Sequence, residues 1–406
     1  MTMWVVAVLA TPAAIRAQVG SPAGPVPVVQ LRARRSALMA KLRDGVAVIA
    51  SARVRSIERD YPQDSDYREN NDFFYLTGLE TPGASLVLVA RKDGRNQAVL
   101  YLPARDTVAE RWTGPKLGPE SEATRLTGIE DVRAASRAAA EIPRYGAPVR
   151  MESVEAKMAA LRLVKDGDEI ARLRRAITIT TNSLDQAMGA VRPGMWEYEL
   201  EAAIEYGFRR HGAERLGFPS IIGSGPNGVT LHYDKNRRQM QSGDLVVQDV
   251  GAEFGYYTAD VTRTIPVSGR FTDRQRALYD LVLATQQAAI DAVRPGTDLP
   301  TLNRVAREYM RDHSGDLCGA ATCVSYFTHG LSHWLGMDVH DVGSFGAKLQ
   351  PGMVLTVEPG IYLPAEGIGI RIEDDVLVTS EGHEILSSRA PRTAPEIEQF
   401  MVQKVP

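Results

Sequence analysis

Two strand–turn–strand segments most constrain what this chain can fold into, because each carries an acid on either side of its turn. In the first, residues 245–250 and 256–265 are rich in β-branched and aromatic residues around a glycine-containing turn, which predicts an antiparallel hairpin. With the turn at residues 254–255, Asp249 and Asp260 are expected to face each other. Their Cβ atoms would then lie about 5 Å apart.

Two facing carboxylates repel each other, and in a dry site one of them would have to take up a proton. A bound dication removes that conflict. The alternative is a different register, with one of the two acids paired with Arg263 or another base.

The second segment repeats this arrangement in residues 352–358 and 368–373. If the intervening loop closes symmetrically around residues 365 and 366, Glu358 opposes Glu373. Alternation along the second strand places three isoleucines on one face and Gly369, Arg371 and Glu373 on the other. Arg371 is therefore expected to point toward the acids.

Three of the seven histidines, His329, His333 and His340, lie between the two hairpins. The spacing of His329 and His333 matches the helical zinc motif His-Glu-x-x-His, but Gly330 stands where that motif needs its catalytic Glu. We therefore reject a zinc protease of that type. Taken singly, each histidine is most simply interpreted as a packed or exposed residue. Together, carboxylates and an imidazole favour hard or borderline cations such as Mn²⁺, Mg²⁺ or Co²⁺, and two such ions about 3.5 to 4 Å apart supply a hydrolytic nucleophile at neutral pH.

The chain length of 406 residues predicts two domains. Apolar runs at residues 45–50 and 85–90, with helical segments around them, predict buried strands of an α/β domain over residues 31–155. A helical period begins again at Asp168, and amphipathic helices followed by the hairpins predict a catalytic domain over residues 165–395.

The first 30 residues form a signal-like segment and a linker. Residues 1–15 are an uncharged apolar run that resembles a signal-peptide core, although no positive residue precedes it and Ile15 stands where a small residue is preferred. Residues 18–30 are rich in Pro, Gly and Val, which predicts an extended linker. We expect a periplasmic or secreted protein, in which Cys318 and Cys323 could form a disulfide; a cytoplasmic protein with both thiols reduced is the alternative.

Charge and hydropathy exclude two classes of partner. Lys and Arg number 47 against 50 Asp and Glu, a formal net charge of -3, so no global basic field attracts nucleic acid. After the N-terminal run, no stretch of about 18 apolar residues follows, and we expect no membrane span in the mature chain.

At these motifs the sequence closely resembles the Xaa-Pro aminopeptidases (aminopeptidase P) of the pita-bread metallopeptidases, over nearly all of residues 31–395. The resemblance implies an α/β N-terminal domain followed by an α+β pita-bread (creatinase/aminopeptidase-like) catalytic domain. The family's five metal-ligand positions match Gln-Asp-Val-Gly (Asp249), Ala-Asp-Val-Thr-Arg-Thr (Asp260), His-Gly-Leu-Ser-His (His333), Thr-Val-Glu-Pro-Gly (Glu358) and Arg-Ile-Glu-Asp-Asp (Glu373).

The resemblance further implies a role for each of these residues. Asp260 and Glu373 would bridge two divalent metal ions, and Asp249 would complete one of them. His333 and Glu358 would complete the other, with Glu358 also moving protons. We expect Mn²⁺, with Co²⁺ or Zn²⁺ as alternatives.

Further residues match by motif. His232, His329 and His340 match histidines that line the substrate site of the family and stabilise the tetrahedral intermediate, and Arg371 matches an arginine that supports the ligands. Residues 67–78 resemble the family's first domain; without that resemblance they would be interpreted as an aromatic core strand.

The implied function is removal of the first residue from peptides whose second residue is proline. Proline has no N–H to offer an ordinary protease, so such bonds need a dedicated site. The alternative is a prolidase, which shares every ligand but cuts only Xaa-Pro dipeptides. A non-catalytic binding protein on the same scaffold is less well supported, because all five ligand positions are intact. The expected partners are a proline-containing peptide and further copies of the chain, as a dimer or tetramer.

Overall fold

The computed structural model describes residues 23–53, 67–319 and 321–403. The chain divides into two compact units, with the boundary after Leu161. The signal-like run predicted at the N-terminus lies outside the described residues. Within the described part, no helix is both long enough and apolar enough to cross a bilayer.

The first unit is built on a four-stranded mixed sheet in the order β1-β2-β3-β4, in which only β3 and β4 are parallel. The two apolar runs predicted as buried strands are confirmed as β1 and β2 and lie next to each other. The strands are Gly45–Ala50 (β1), Ser85–Ala90 (β2), Gln97–Leu102 (β3) and Asp131–Ala134 (β4).

Short helices surround this sheet, and two of them correct the sequence interpretation. The helices are Val28–Leu42 (α1), Asn71–Thr77 (α2), Glu110–Thr113 (α3), Ser121–Thr127 (α4), Ala138–Glu141 (α5) and Met151–Arg162 (α6). The first helix begins directly after Pro27, so the last three residues of the predicted linker are helical.

Within the aromatic segment at residues 67–78, residues 71–77 form a helix and not the core strand that composition alone suggested. The side chain of Asn70 accepts hydrogen bonds from the amides of Asp72 and Phe73, which caps the helix start, and Gly78 ends it in the left-handed region with φ 67°. These two caps outweigh the β preference of the aromatic residues between them.

The second unit contains five helices among the described residues, and those predicted to begin near residues 168, 197 and 273 are confirmed. Reciprocal capping boxes start two of them, from Asp166 with Glu169 and from Thr272 with Gln275. The helices are Gly167–Met188 (α7), Glu197–Arg210 (α8), Asp273–Asp291 (α9), Leu299–His313 (α10) and Ala394–Gln403 (α11).

Four small antiparallel sheets pack with these helices, in the strand orders β10-β7-β6, β11-β14-β15, β12-β13 and β5-β8-β9. The strands are Arg215–Leu216 (β5), Ile221–Ser224 (β6), Leu245–Val250 (β7), Ala252–Phe254 (β8), Tyr257–Thr258 (β9), Val261–Pro266 (β10), Val354–Val357 (β11), Gly360–Leu363 (β12), Ile368–Arg371 (β13), Asp374–Val378 (β14) and His383–Ile385 (β15).

The predicted register of the first acid hairpin is wrong by two residues. Asp249 lies opposite Thr262, not opposite Asp260. The turn falls on Gly255 and Tyr256, both with positive φ (58° and 72°), one residue later than predicted. Because a shift of two residues keeps every side chain on its original face, Asp249 and Asp260 still point to the same side.

The predicted register of the second hairpin is confirmed. Gly360 pairs with Arg371, and beyond the interruption Val357 pairs with Asp374. Both ladders share one register, which places Glu358 opposite Glu373 in the gap between them. The two acids therefore lie where backbone pairing is interrupted.

Candidate metal centre

All nine residues singled out in the sequence line one cavity of about 670 Å³ in the second unit. The acids come from the two hairpins, and three of the histidines come from the irregular segment between α10 and β11. The nine are His232, Asp249, Asp260, His329, His333, His340, Glu358, Arg371 and Glu373.

The centre of this cavity is the group formed by Asp260, His333 and Glu373, whose potential ligand atoms lie within 4.8 Å of one another. His333 Nε2 is 3.3 Å from Asp260 Oδ2 and 3.5 Å from Glu358 Oε1. The other ring nitrogen, Nδ1, is 3.1 Å from the carbonyl oxygen of Trp334. Donation from Nδ1–H to that carbonyl leaves Nε2 with a free lone pair directed at the acids, as a metal-binding histidine requires.

Backbone and hydroxyl contacts fix the two glutamates. The amide of Glu373 donates to the carbonyl of Thr262 (3.1 Å), and the Thr262 hydroxyl donates to Glu373 Oε2 (2.6 Å). The amide of Glu358 donates to the carbonyl of Leu331 (2.9 Å), and Thr356 Oγ1 donates to its Oε1 at the longer distance of 3.3 Å. Strand β10 thus holds Glu373 more tightly than Thr356 holds Glu358.

Close packing near Gly251 brings the Asp260 strand back toward β7. A Cβ atom at Gly251 would lie 1.9 Å from the carbonyl oxygen of Ala259, so only glycine fits there. The preceding Val250 is fully buried in the hydrophobic core. Its side chain packs with the core, while Asp249 lines the cavity.

The acids fit a site for divalent cations because the protein does not satisfy their charge. Asp249 Oδ1, Asp260 Oδ1 and Glu373 Oε1 are buried and have no hydrogen-bond partner in the described part of the chain. Burial, and then the neighbouring charge of Asp249, raises the pKa of Asp260 well above its ordinary value. Burial and the charge of Asp260 do the same to the pKa of Glu373. Ionised acids in such a place need cations.

The alternative of a different register, with one aspartate paired to a base, is confirmed, but the base is Arg371 and not Arg263. Arg263 Nη2 donates to Asp374 Oδ1 (2.8 Å), and its other nitrogens donate to backbone carbonyls, including that of Glu373 (2.7 Å). Asp249 pairs with Arg371 instead. Four carboxylates therefore share one guanidinium, which leaves an excess of negative charge for bound metal to balance.

Two of the outer histidines, His329 and His340, lie on the cavity wall with a lowered pKa. Burial, followed by the charge of Arg371, lowers the pKa of His329 to about 4. Its Nδ1 donates to the carbonyl of Gly330 (2.7 Å), so Nε2 accepts from the Tyr362 hydroxyl (2.8 Å). Burial, followed by His333, lowers the pKa of His340, whose ring centroid lies 4.2 Å from that of His333.

Tyr362 is a residue of this site that sequence reasoning missed. Its hydroxyl accepts from Arg371 Nη1 (2.8 Å) and connects that arginine to His329. The hairpin register contained the signal, because Tyr362 lies opposite Gly369 and therefore shares the face assigned to Arg371.

Comparison with known proteins identifies the class. Residues 171–380 match metallopeptidase family M24, and residues 31–151 match the N-terminal domain of aminopeptidase P. The chain belongs to metallopeptidase family M24.

The resemblance to the aminopeptidase P group is confirmed by individual relatives. The chain is 38% identical to the Xaa-Pro aminopeptidase of Escherichia coli, over 92% of this chain and 97% of that protein. Its fold is similar to that of zinc-substituted E. coli aminopeptidase P solved with product (TM-score 0.87, 35% identity, 94% of this chain and all of that one). It is also similar to proline aminopeptidase P II of Yersinia pestis (TM-score 0.85, 35% identity, 93% and 100%). The expected α/β domain and pita-bread catalytic domain are thereby confirmed.

Proposed function

We propose that this metallopeptidase removes the N-terminal residue from peptides whose second residue is proline. The observation that carries the proposal is the set of buried acids with unpartnered oxygens around His333, at the base of a cavity of about 670 Å³. A cavity of that size accommodates several residues of a peptide. The names of the related aminopeptidases supply the substrate class.

The ligand assignments follow the family motifs and the distances together. Asp260 and Glu373 would be shared by two ions, Asp249 would complete the binding of one of them, and His333 with Glu358 would complete the binding of the other. When bound, the ions supply a nucleophile for hydrolysis and polarise the scissile carbonyl. Mn²⁺ is the expected metal because the ligand set is rich in oxygen; Co²⁺ and Zn²⁺ are the alternatives.

The remaining residues act on the substrate. Glu358 takes the proton from the nucleophile and returns one to the departing proline nitrogen, as its position beside His333 allows. His232, His329 and His340 line the cavity and steady the charge that develops on the carbonyl oxygen. Arg371 holds Asp249 in place as a ligand.

The test is metal-dependent release of the first amino acid from Xaa-Pro-Yaa tripeptides, measured beside Xaa-Pro dipeptides. Protein stripped with a chelator should be inactive and should regain activity with Mn²⁺, Co²⁺ or Zn²⁺ added separately, which ranks the metals. Turnover of dipeptides alone would assign the chain to the prolidases. Turnover of neither substrate by metal-loaded protein would overturn the proposal.

We also propose that the protein is exported and cleaved near Gln18, and that its domains extend over residues 31–155 and 165–395. Support for export comes from the apolar N-terminus and from the disulfide between Cys318 and Cys323, because disulfides persist in oxidising compartments. Mass spectrometry of protein from its native host should find an N-terminus near Gln18. An intact Met1 in a cytoplasmic fraction would contradict export. Light scattering tests the proposed dimer or tetramer.

A further inference from the structure

A second cavity, of about 470 Å³, adjoins the metal-site cavity. Four residues line both cavities: His329, Gly330, Ser332 and Phe345. The far side of the second cavity is formed by α10, which contributes Asn303 and Arg307. A peptide held over the acids can therefore continue across the shared edge toward α10.

Polar groups of this second cavity have hydrogen-bonding capacity that the protein does not use. Ser332 is only 9% exposed, and its hydroxyl has no hydrogen-bond partner among the described residues. The buried Oδ1 of Asn303 also lacks one within the same ranges. A buried polar group without a partner is unfavourable, so a peptide whose backbone satisfies such groups gains affinity.

Arg307 adds a positive charge that lacks an acidic partner among the described residues. Its Nη2 donates to the carbonyls of Phe327 and His329, at 3.0 Å each. In the described part of the chain no carboxylate lies within ion-pair distance of it, and Nε and Nη1 make no hydrogen bond. A guanidinium with free N–H groups in a cavity is suited to a carboxylate.

The position of Arg307 sets the length of peptide that reaches it. His329, whose carbonyl accepts a hydrogen bond from Arg307, also has its Nδ1 3.6 Å from Glu358 Oε2. Arg307 and Glu358 therefore contact the same residue. A carboxylate bound by Arg307 therefore belongs to a residue beyond the one held at the acids. An aminopeptidase keeps a single residue on the amino side of the bond that it cuts. A binding surface at this distance therefore suits residues that follow the proline.

We propose that the second cavity binds the residues after the proline, and that Arg307 binds the terminal carboxylate of tripeptides and tetrapeptides. The inference rests on the proposed function and specifies its substrate class as peptides longer than two residues. Phe345, 60% exposed, supplies an apolar contact at the shared edge. A dipeptide ends at its proline and gains nothing from Arg307.

The test compares tripeptides and tetrapeptides that end in a free carboxylate with the same peptides ending in an amide. For Arg307→Gln we expect KM to rise about tenfold for the free acids, as for the loss of one charge-assisted contact, with kcat and the constants for the amides unchanged. Arg304→Gln is the matched control, because Arg304 lies on the same helix but is exposed and pairs with Glu308. It should behave as wild type.

A second variant is needed because Arg307→Gln also removes the hydrogen bonds from Arg307 to the carbonyls of Phe327 and His329, and this loss alone could change the local structure. Asn303→Asp adds a negative charge to the cavity and leaves those bonds in place, so KM should again rise for the free acids only. Equal losses for acids and amides in both variants would overturn the inference. A wild type that is active on Xaa-Pro peptides but shows no difference between acid and amide would also overturn it, while leaving the proposed function intact.

The alternative hypothesis is that the cavity binds the side chain of the first substrate residue. Asn303→Phe, which fills the cavity, distinguishes this hypothesis from binding of the residues after the proline. We expect poorer hydrolysis of tetrapeptides with unchanged hydrolysis of any dipeptide and an unchanged preference for the first residue. An altered preference for the first residue would assign the cavity to that side chain and overturn the inference.

Discussion

The two hairpins that carry the acids hold them in different ways. In the first, Asp249 lies within a continuous ladder opposite Thr262 and is paired with Arg371. Asp260 lies where that hairpin is interrupted, between β9 and β10. Its contact is with His333, whose imidazole carries a positive charge only when it is protonated. In the second, both glutamates lie in a gap between ladders and are held by hydroxyl groups. The protein itself thus balances one acid and leaves the others to the metal.

The largest effect should come from His333, which offers Nε2 to Asp260 and Glu358 at 3.3 and 3.5 Å. Loss of a group that merely supports a ligand costs about 10–100-fold in metal affinity or activity. His333→Ala removes a proposed ligand itself, so we expect activity to fall by more than about a thousandfold and one ion to be lost. Kinetics and elemental analysis on one preparation test this. Undiminished turnover would show that another residue is the ligand.

The comparison between Asp249 and Asp260 predicts opposite effects on the stability of metal-free protein. Asp249→Asn leaves the buried Arg371 without its partner and should lower the free energy of unfolding by about 3 to 5 kcal/mol. Asp260→Asn removes a repelling charge and should raise it. Denaturant unfolding in the presence of a chelator measures both variants. Destabilisation by both would mean that Asp260 is balanced by the protein after all.

His232 and His340 should matter for rate but not for metal content. A group that steadies charge in a transition state contributes about 2.7 to 4 kcal/mol, so each His→Ala change should slow turnover about a hundredfold or more. Elemental analysis should still find two ions per chain. Wild-type kcat in either variant would remove that histidine from the mechanism, and lost metal would make it a ligand.

The smallest effects should distinguish the two glutamates. Thr262 Oγ1 lies 2.6 Å from Glu373, whereas Thr356 Oγ1 lies 3.3 Å from Glu358, so the first hydrogen bond is the stronger. Thr262→Val should reduce kcat about tenfold and Thr356→Val by less, because a hydrogen bond to a charged group contributes about 1.5 to 3 kcal/mol. The reverse order would show that Thr356 supports its glutamate more strongly than Thr262 does.

Sequence alternation predicted which face each acid occupies, but turn chemistry decided the register. The second hairpin closes around a loop centred where its apolar pattern is symmetric, and its predicted pairing is correct. The first closes with positive φ at Tyr256, a conformation that an aromatic residue rarely adopts, so the sequence favoured the wrong turn. The same limit applied at residues 71–77, where an Asn cap determined a helix that composition did not reveal.

Long-range contacts were the least predictable from the sequence. The pairing of Arg371 with Asp249 spans 122 residues. Alternation along its strand predicted that Arg371 faces the acids, but not which acid it binds. Tyr362 is an intermediate case. The register of one hairpin predicts which face its side chain occupies, but its contact with His329 depends on how the segment that carries the histidines folds. The alternation of side chains along a strand predicted correctly which face a residue occupies. It did not predict which residues of two distant segments come into contact.

The partners of the buried Arg263 are synthesised long after Arg263 itself. Its guanidinium donates to the carbonyls of Glu373, Ala390 and Pro391, which follow it by 110, 127 and 128 residues. A ribosome adds about 5 to 20 residues per second, so those carbonyls are made roughly 6 to 25 seconds after Arg263. Until then β10, which follows Asp260 directly, lacks the partners of its buried arginine. The group formed by Asp260, His333 and Glu373 is likewise complete only once residue 373 has been added.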